Sequence, residues 1–296
     1  METWLLVAVF AQFLSALTTL VDKHIVTRAE HIGKPIVYAF YISLLSGFVI
    51  VLLPFGIVWQ SGTVFLISLV NAAAFVAGIY FLYSALSHAR ASDVSPAVGG
   101  ISAIVTIILA ALWIDGDVTP ALIVPVLLLA SGTAIISHFH FSRNALVYTV
   151  LAGISFGVMI FLAKVIYLQA GFLNGFFWTR MPNVALALAL LFVPRVRRAV
   201  FHGARKSSRA AKGLVLGNKI LGGVASALTS FAVSLGPVSV VNALSGLQFV
   251  FLFVFSFLFG KRMPTYNTDK IRNHGGWHSA IGITFIVCGL AALYLA

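Results

Sequence analysis

The sequence predicts an all-α integral membrane protein, ten transmembrane helices arranged as two inverted five-helix repeats. Three observations predict it. Of 296 residues, 60% are hydrophobic and only 9% charged, with a mean hydropathy of +1.05. A soluble domain carries roughly 25% charged residues, so this composition cannot cover a surface that faces water. Next, ten apolar runs have about the 20-residue length that crosses a bilayer as a helix. Finally, the stretch from Tyr80 to Asp117, YFLYSALSHARASDVSPAVGGISAIVTIILAALWIDGD, returns in weaker form from Ala227 to Arg262. An offset of about 147 positions sets Asn71 on Asn218, Ala85 on Ala232, Ser92 on Ser239 and Gly99 on Gly246. A period of half the chain makes the unit domain-sized, and the halves are residues 1–142 and 143–296.

The runs, in order, cover residues 4–22, 36–54, 63–86, 94–113, 120–138, 146–168, 175–193, 214–235, 239–259 and 277–295. They are continuous and do not alternate with period two, which favours helices over a barrel. Helices of this length also satisfy their own backbone groups in hydrocarbon. The chain opens Met1-Glu2-Thr3-Trp4, acidic and without an A-x-A pattern, so the first run is expected to be retained as a span. Trp4, Trp59, Trp113, Trp178 and Trp277 fall at or near run ends, where interfacial belts need them.

The formal net charge is +12, from 19 Lys and Arg against 7 Asp and Glu. The basic residues occupy short loops between apolar runs, where membrane insertion accounts for them, and nucleic acid is not expected as a partner. One connection, PRVRRAVFHGARKSSRAAKG from Pro194 to Gly213, holds seven basic residues and no acid. It is expected to fix topology and to touch anionic lipid headgroups; a lipid-sensing helix is the rival reading. Seventeen basic residues lie on or near the odd-numbered loops, as do His24, His31, His88, His138, His140, His202, His274 and His278. The even side keeps Lys164 and Arg180, with Glu2, Asp115 and Asp117. This bias predicts both termini outside. Five spans per half is an odd number, so the second half inserts upside down relative to the first. Substrates of such folds bind near midplane between the halves, which is the geometry of alternating access.

The YSAL…ARASDVSPAV break at Tyr83 to Val98 and its echo AVSLGPVSVVNAL at Ala232 to Leu244 resemble the drug/metabolite transporter superfamily, in particular its EamA-type ten-helix carriers. The span-ending Lys23 and Lys164 and the closing helices at Thr119 to Ile136 and Trp277 to Leu293 carry the same resemblance, over essentially the whole chain. It implies a multi-pass protein of the plasma membrane, the bacterial inner membrane, that moves small metabolites or drug-like solutes by secondary transport. It also implies cytoplasmic termini, against the charge bias. Two places depart from the family pattern: Asp115-Gly116-Asp117 and Gly260-Lys261-Arg262 stand where a Gly-Glu pair is usual.

Polar groups inside spans are costly and usually face a cavity or the bundle interior. The candidate substrate-binding residues are Gln12 and Ser15 in the first run, Asn71, Tyr80 and Tyr83 in the third, Ser95 in the fourth, Asn218 and Ser226 in the eighth, and Asn242 and Gln248 in the ninth. Interhelical packing is the competing use of the same residue types. Lys164 and Arg180 complete the set: two cations at one mouth attract a carboxylate or another anion, with snorkelling to headgroups as the alternative. Gly153 and Gly157 form a GxxxG pattern expected to pack. Asp22, Asp93, Asp115 and Asp117 fall at run ends, so no buried acid is expected to couple protons.

The single cysteine, Cys288, allows no intramolecular disulfide or cysteine metal cluster. His138 and His140 point to different faces of a helix and lack an acidic partner, so no metal is expected. The chain has no phosphate-binding glycine loop, HExxH or G-x-S-x-G, hence no cofactor, no ATP-driven cycle and no enzymatic activity are expected. A small-molecule solute, membrane lipids and a monomeric state complete the expectation. The alternatives are a membrane-embedded enzyme acting on lipid headgroups and a non-transporting scaffold.

Overall fold

The computed structural model describes residues 3–28, 35–89, 91–137, 142–202, 209–259 and 276–295, and it is 91% helical with no strand among them. Glu2, His31, His138, His140, His274 and most of the polar loop from Lys261 to Gly276 lie outside the described residues. The helices follow the apolar runs closely: α1 (Thr3–Arg28), α2 (Pro35–Leu45, continued as a 3-10 segment Ser46–Phe55), α3 (Gly62–Leu86), α4 (Ala91–Trp113) and α5 (Pro120–Ile136). Then come α6 (Arg143–Leu190), α7 (Pro194–His202), α8 (Arg209–Leu235), α9 (Val238–Ala243), α10 (Leu247–Phe259) and α11 (Gly276–Leu295).

Six stretches are long and apolar enough to cross a membrane, and α5 and the described part of α11 are shorter apolar helices. Large apolar side chains cover the outside, among them Phe192 (88% exposed), Trp59 (73%), Val51 (70%) and Leu112 (67%). Water would not tolerate such a continuous apolar surface, and lipid requires it. The chain is therefore a helical membrane protein.

Two expected runs, 146–168 and 175–193, appear as the single 48-residue α6. Its backbone breaks at Gly171, with φ 69° and ψ 172°, a region that only glycine occupies readily. Beyond the break the chain folds back, because Gly175 lies against the rings and side chains of Tyr167 and Ile166. Eight residues of straight helix would separate those positions by about 12 Å. We call the two arms α6a and α6b. The ninth run is likewise interrupted: α9 and α10 are joined by the one-turn 3-10 segment Leu244–Gly246. The basic connection contains a helix of its own, α7, whose Val196 and Val200 pack on Val37 and Phe40 of α2.

The packing is reciprocal between the halves. α3 lies along α6, α8 along α1, α4 against α9, and α5 along α11. Small residues permit the close approaches. A Cβ on Gly153 or Gly157 would meet Ile101 or Val105 of α4 at 2.6 and 2.7 Å, and Gly132 and Gly282 face each other's carbonyls across the α5–α11 seam. The GxxxG pair is thus a packing surface, as its spacing predicts.

Candidate functional site

The break between α8 and α9, Gly236-Pro237, is held by buried charged side chains on both sides. Pro237 cannot donate to the preceding turn, so α8 ends here and leaves its last carbonyls open. Lys164, on α6a and only 6% exposed, closes them: its Nζ donates to the carbonyls of Val233 (3.0 Å), Gly236 (2.8 Å) and Ser234 (3.4 Å). The opposite end of the break is closed from the other half. Asp117, 5% exposed, accepts from the backbone N–H of Val238 at Oδ1 (2.8 Å) and of Ser239 at Oδ2 (3.2 Å). The Ser239 hydroxyl adds a third bond to Oδ2 at 2.9 Å. A cation at a helix C-terminus and an anion at the next N-terminus both suit the helix dipole. The two opposite charges thus hold positions only two residues apart in the chain, at Gly236 and Val238. Trp4 of α1 packs directly onto Gly236, where no larger residue would fit.

Arg180, on α6b, lies nine residues beyond Gly171, about 13 Å along the helix, and two residues past Trp178, whose indole N–H donates to the Val58 carbonyl in the loop before α3 (3.1 Å). Snorkelling does not account for it, because its guanidinium turns inward to α8. Nη2 donates to Ser226 Oγ at 2.8 Å and to Ser230 Oγ at 3.3 Å. The guanidinium carbon stands 5.2 Å from the centre of the Phe176 ring, which continues into an aromatic wall of Phe172 and Phe231. Ser226, Ser230 and the Val233 carbonyl recur at helical spacing on one face of α8. The Arg180 and Lys164 contacts are therefore stacked along that face, about 10 Å apart.

The amides are placed differently from the cations. Asn71 donates to the Met159 carbonyl of α6a (2.6 Å) and Asn218 to the Thr18 carbonyl of α1 (3.1 Å). Asn242 donates to Ser102 Oγ (3.0 Å) and Thr106 Oγ1 (2.7 Å) on α4, and Gln248 to Thr19 Oγ1 (2.8 Å) on α1. Each of these bonds joins one half to the other. Gln12 is 4% exposed and shows no hydrogen bond among the described residues. Ser15 donates to its own helix at Ala11. Tyr80, Tyr83 and Ser95 lie near the ends of α3 and α4 that flank the break at residues 87–90. Of the twelve sequence candidates, the structure brings Arg180 and Ser226 into direct contact and sets Lys164 beside them.

Sequence reasoning places Asp117 at a run end and sets Ser230 with Gly222 and Ser226 on a small-residue stripe that favours packing, so neither enters the candidate site. Asp117 does fall at a helix end, as expected, yet it is buried, because the α8–α9 break of the other half folds over it. The signal for Ser230 is a hydroxyl inside a span, four residues from Ser226 on one face of the helix. Among the described residues no group of three or more His, Cys, Asp and Glu could hold a metal.

No protein-family model matches the chain, and no curated protein matches it. Twenty-three chains of solved structures do match. One of them, described only as "Crystal structure of protein", is similar over 100% of this chain and 99% of its own, with a TM-score of 0.68 and 15% sequence identity. At that identity the likeness shows the fold alone: a helical arrangement that spans the entire chain and is shared with another protein of the same extent.

Proposed function

We propose that the protein is a secondary transporter that moves a small solute by alternating access, with ten crossings in two inverted halves of five. The observation that carries this reading is the reciprocal packing. α3 of the first half lies on α6 of the second, and α8 of the second on α1 of the first. Each seam holds one equivalent asparagine, Asn71 or Asn218, bonded to a carbonyl of the other half. Such an exchange is what a two-fold axis in the membrane plane produces. The fold-back at Gly171 supplies the tenth crossing in this reading.

The remaining geometry supports the same mechanism. Asp117 clamps the first half onto the broken α8–α9 segment of the second, and Lys164 stiffens that break. Interrupted helices and a buried inter-half clamp are what a rocking gate needs. We assign the Asp117 end as the closed side of the captured state. The basic loops, including α7 with Arg195, Arg197 and Arg198, are assigned to anionic headgroups of a plasma membrane. No catalytic role or cofactor enters this reading.

Reconstitution tests it. Vesicles containing the protein should exchange a labelled solute across the membrane, saturably and faster than protein-free vesicles. Turnover of a lipid headgroup in detergent, with no saturable flux of any solute, would replace the carrier by an enzyme.

A further inference from the structure

We propose that Arg180, Ser226 and Ser230 bind the carboxylate of a small monoanionic solute with an apolar or aromatic body. The inference deepens the carrier reading and rests on it for the path by which the solute arrives, although binding itself does not.

The argument is one of donors and charge. A guanidinium drawn from water into a seam between apolar helices is costly unless its charge and donors are met. Among the described residues Arg180 has no carboxylate partner; its bonds go to two neutral hydroxyls through a single nitrogen, Nη2. The other N–H groups of its fork have no partner among these residues. Ser226 and Ser230 accept from Arg180 and show no acceptor of their own among the described residues, so both hydroxyl protons remain to be donated. The cluster is therefore rich in donors and poor in acceptors, and a ligand with two coplanar acceptor oxygens completes it. Arg180 is half-buried and its contact with Ser226 is open, so the cluster can be reached.

Charge counting narrows the class. Lys164 and Asp117 hold the two sides of one break, at the Gly236 carbonyl and the Val238 N–H, whereas Arg180 has no carboxylate contact among the described residues, so its charge is locally unmet. A monoanion neutralises it. A dianion would leave a net negative charge in a low-dielectric setting, and a cation or a zwitterion's ammonium would find no acid beside it. The wall of Phe172, Phe176 and Phe231 suits a body that is apolar or aromatic.

The test uses the purified full-length protein, calorimetry and thermal melting, with acetate, benzoate and phenylacetate as carboxylates. Benzamide, benzylamine and phthalate serve as the neutral, cationic and dianionic comparators. Benzoate or phenylacetate should bind at least about tenfold more tightly than benzamide, the worth of a charge-assisted bond. Arg180→Gln should abolish that preference, while Arg180→Lys keeps part of it, having the charge without the fork. The Ser226→Ala/Ser230→Ala double variant should weaken binding severalfold and also lower the melting temperature, since Arg180 loses both hydroxyl partners; its affinity, measured on the folded protein, decides the matter if Arg180→Gln fails to fold. Equal affinity for benzoate and benzamide overturns the proposal, as does absence of binding by every carboxylate or unchanged benzoate affinity in the double variant. Carboxylate binding without vesicle flux would keep the site and remove the carrier. Flux of a neutral or cationic solute, with no carboxylate bound, would keep the carrier and remove the site.

Discussion

Lys164 and Arg180 show how two similar residues acquire different work. Both are cations on α6, both face α8, and the same helical face receives them. Lys164 meets open carbonyls at a helix end, acceptors that use all its protons, whereas Arg180 meets hydroxyls, which can pass a hydrogen bond onward. Removing the Lys164 charge, as in Lys164→Met, leaves those carbonyls without a donor and should cost about 1–3 kcal/mol of stability. Asp117→Asn deprives α9 of its charged cap and should cost about 1–2 kcal/mol. Because the two charges also act on each other, the double variant should lose less than the sum of the singles by about 0.5 kcal/mol or more. Thermal melting of the four proteins in one detergent checks this, and strict additivity would show that the residues act independently. The sequence showed Lys164 and Arg180 as the exceptional cations of the even side, and it showed the asparagines as spaced amides inside spans. It did not show the partners. Asn71 and Asn218 bond to carbonyls 88 and 200 residues away, and no local spacing encodes which carbonyl a folded seam presents.

At the scale of elements, glycine decides where helices touch and where they turn. Gly157 on α6a has Val105 so close that an added methyl would stand 2.7 Å from its Cβ, while Gly223 on α8 has nothing within 4 Å. Gly157→Ala should therefore destabilise the protein by about 1–3 kcal/mol through overpacking. Gly223→Ala should be neutral or stabilising by up to about 1 kcal/mol, since alanine is the better helix former. Melting temperatures that fall equally in both would mean the α4–α6 seam yields more readily than its packing implies. The helix boundaries were largely legible, because hydropathy and breakers act within a few residues. The run limits at 63, 86, 113 and 235 match Gly62, Leu86, Trp113 and Leu235 to within one residue, whereas α1 continues six residues past its run to Arg28 and α8 begins five before its run at Arg209. The merging of two runs into α6 was less visible. A single glycine at positive φ reverses the chain without the polar loop that a sequence reader looks for.

For the whole molecule, the assignment of Asp117 to a closed gate makes the motion testable. In a Cys288→Ser background, cysteines at positions 117 and 239, whose native side chains touch at 2.9 Å, should be joined by a short bifunctional thiol reagent. Joining them should stop solute exchange and reduction of the link should restore it, while the unlinked double variant retains measurable flux. Flux that continues through the linked protein would show that this end does not open during transport. A reporter at each terminus should report the same side of the membrane, as an even number of crossings requires.

Composition and hydropathy alone determined that this chain belongs in a membrane as helices, and set nearly every helix boundary. Those properties follow from the cost of placing backbone and charge in hydrocarbon, a cost each segment meets by itself. Which helices lie together, that Asp117 closes a break in the opposite half, and that Arg180 faces two hydroxyls without an acid beside it were decided only in the tertiary structure. The physical reason is range: hydrogen bonds and ion pairing select partners by distance in space, and residues 46 to 200 positions apart become neighbours only after the halves have packed.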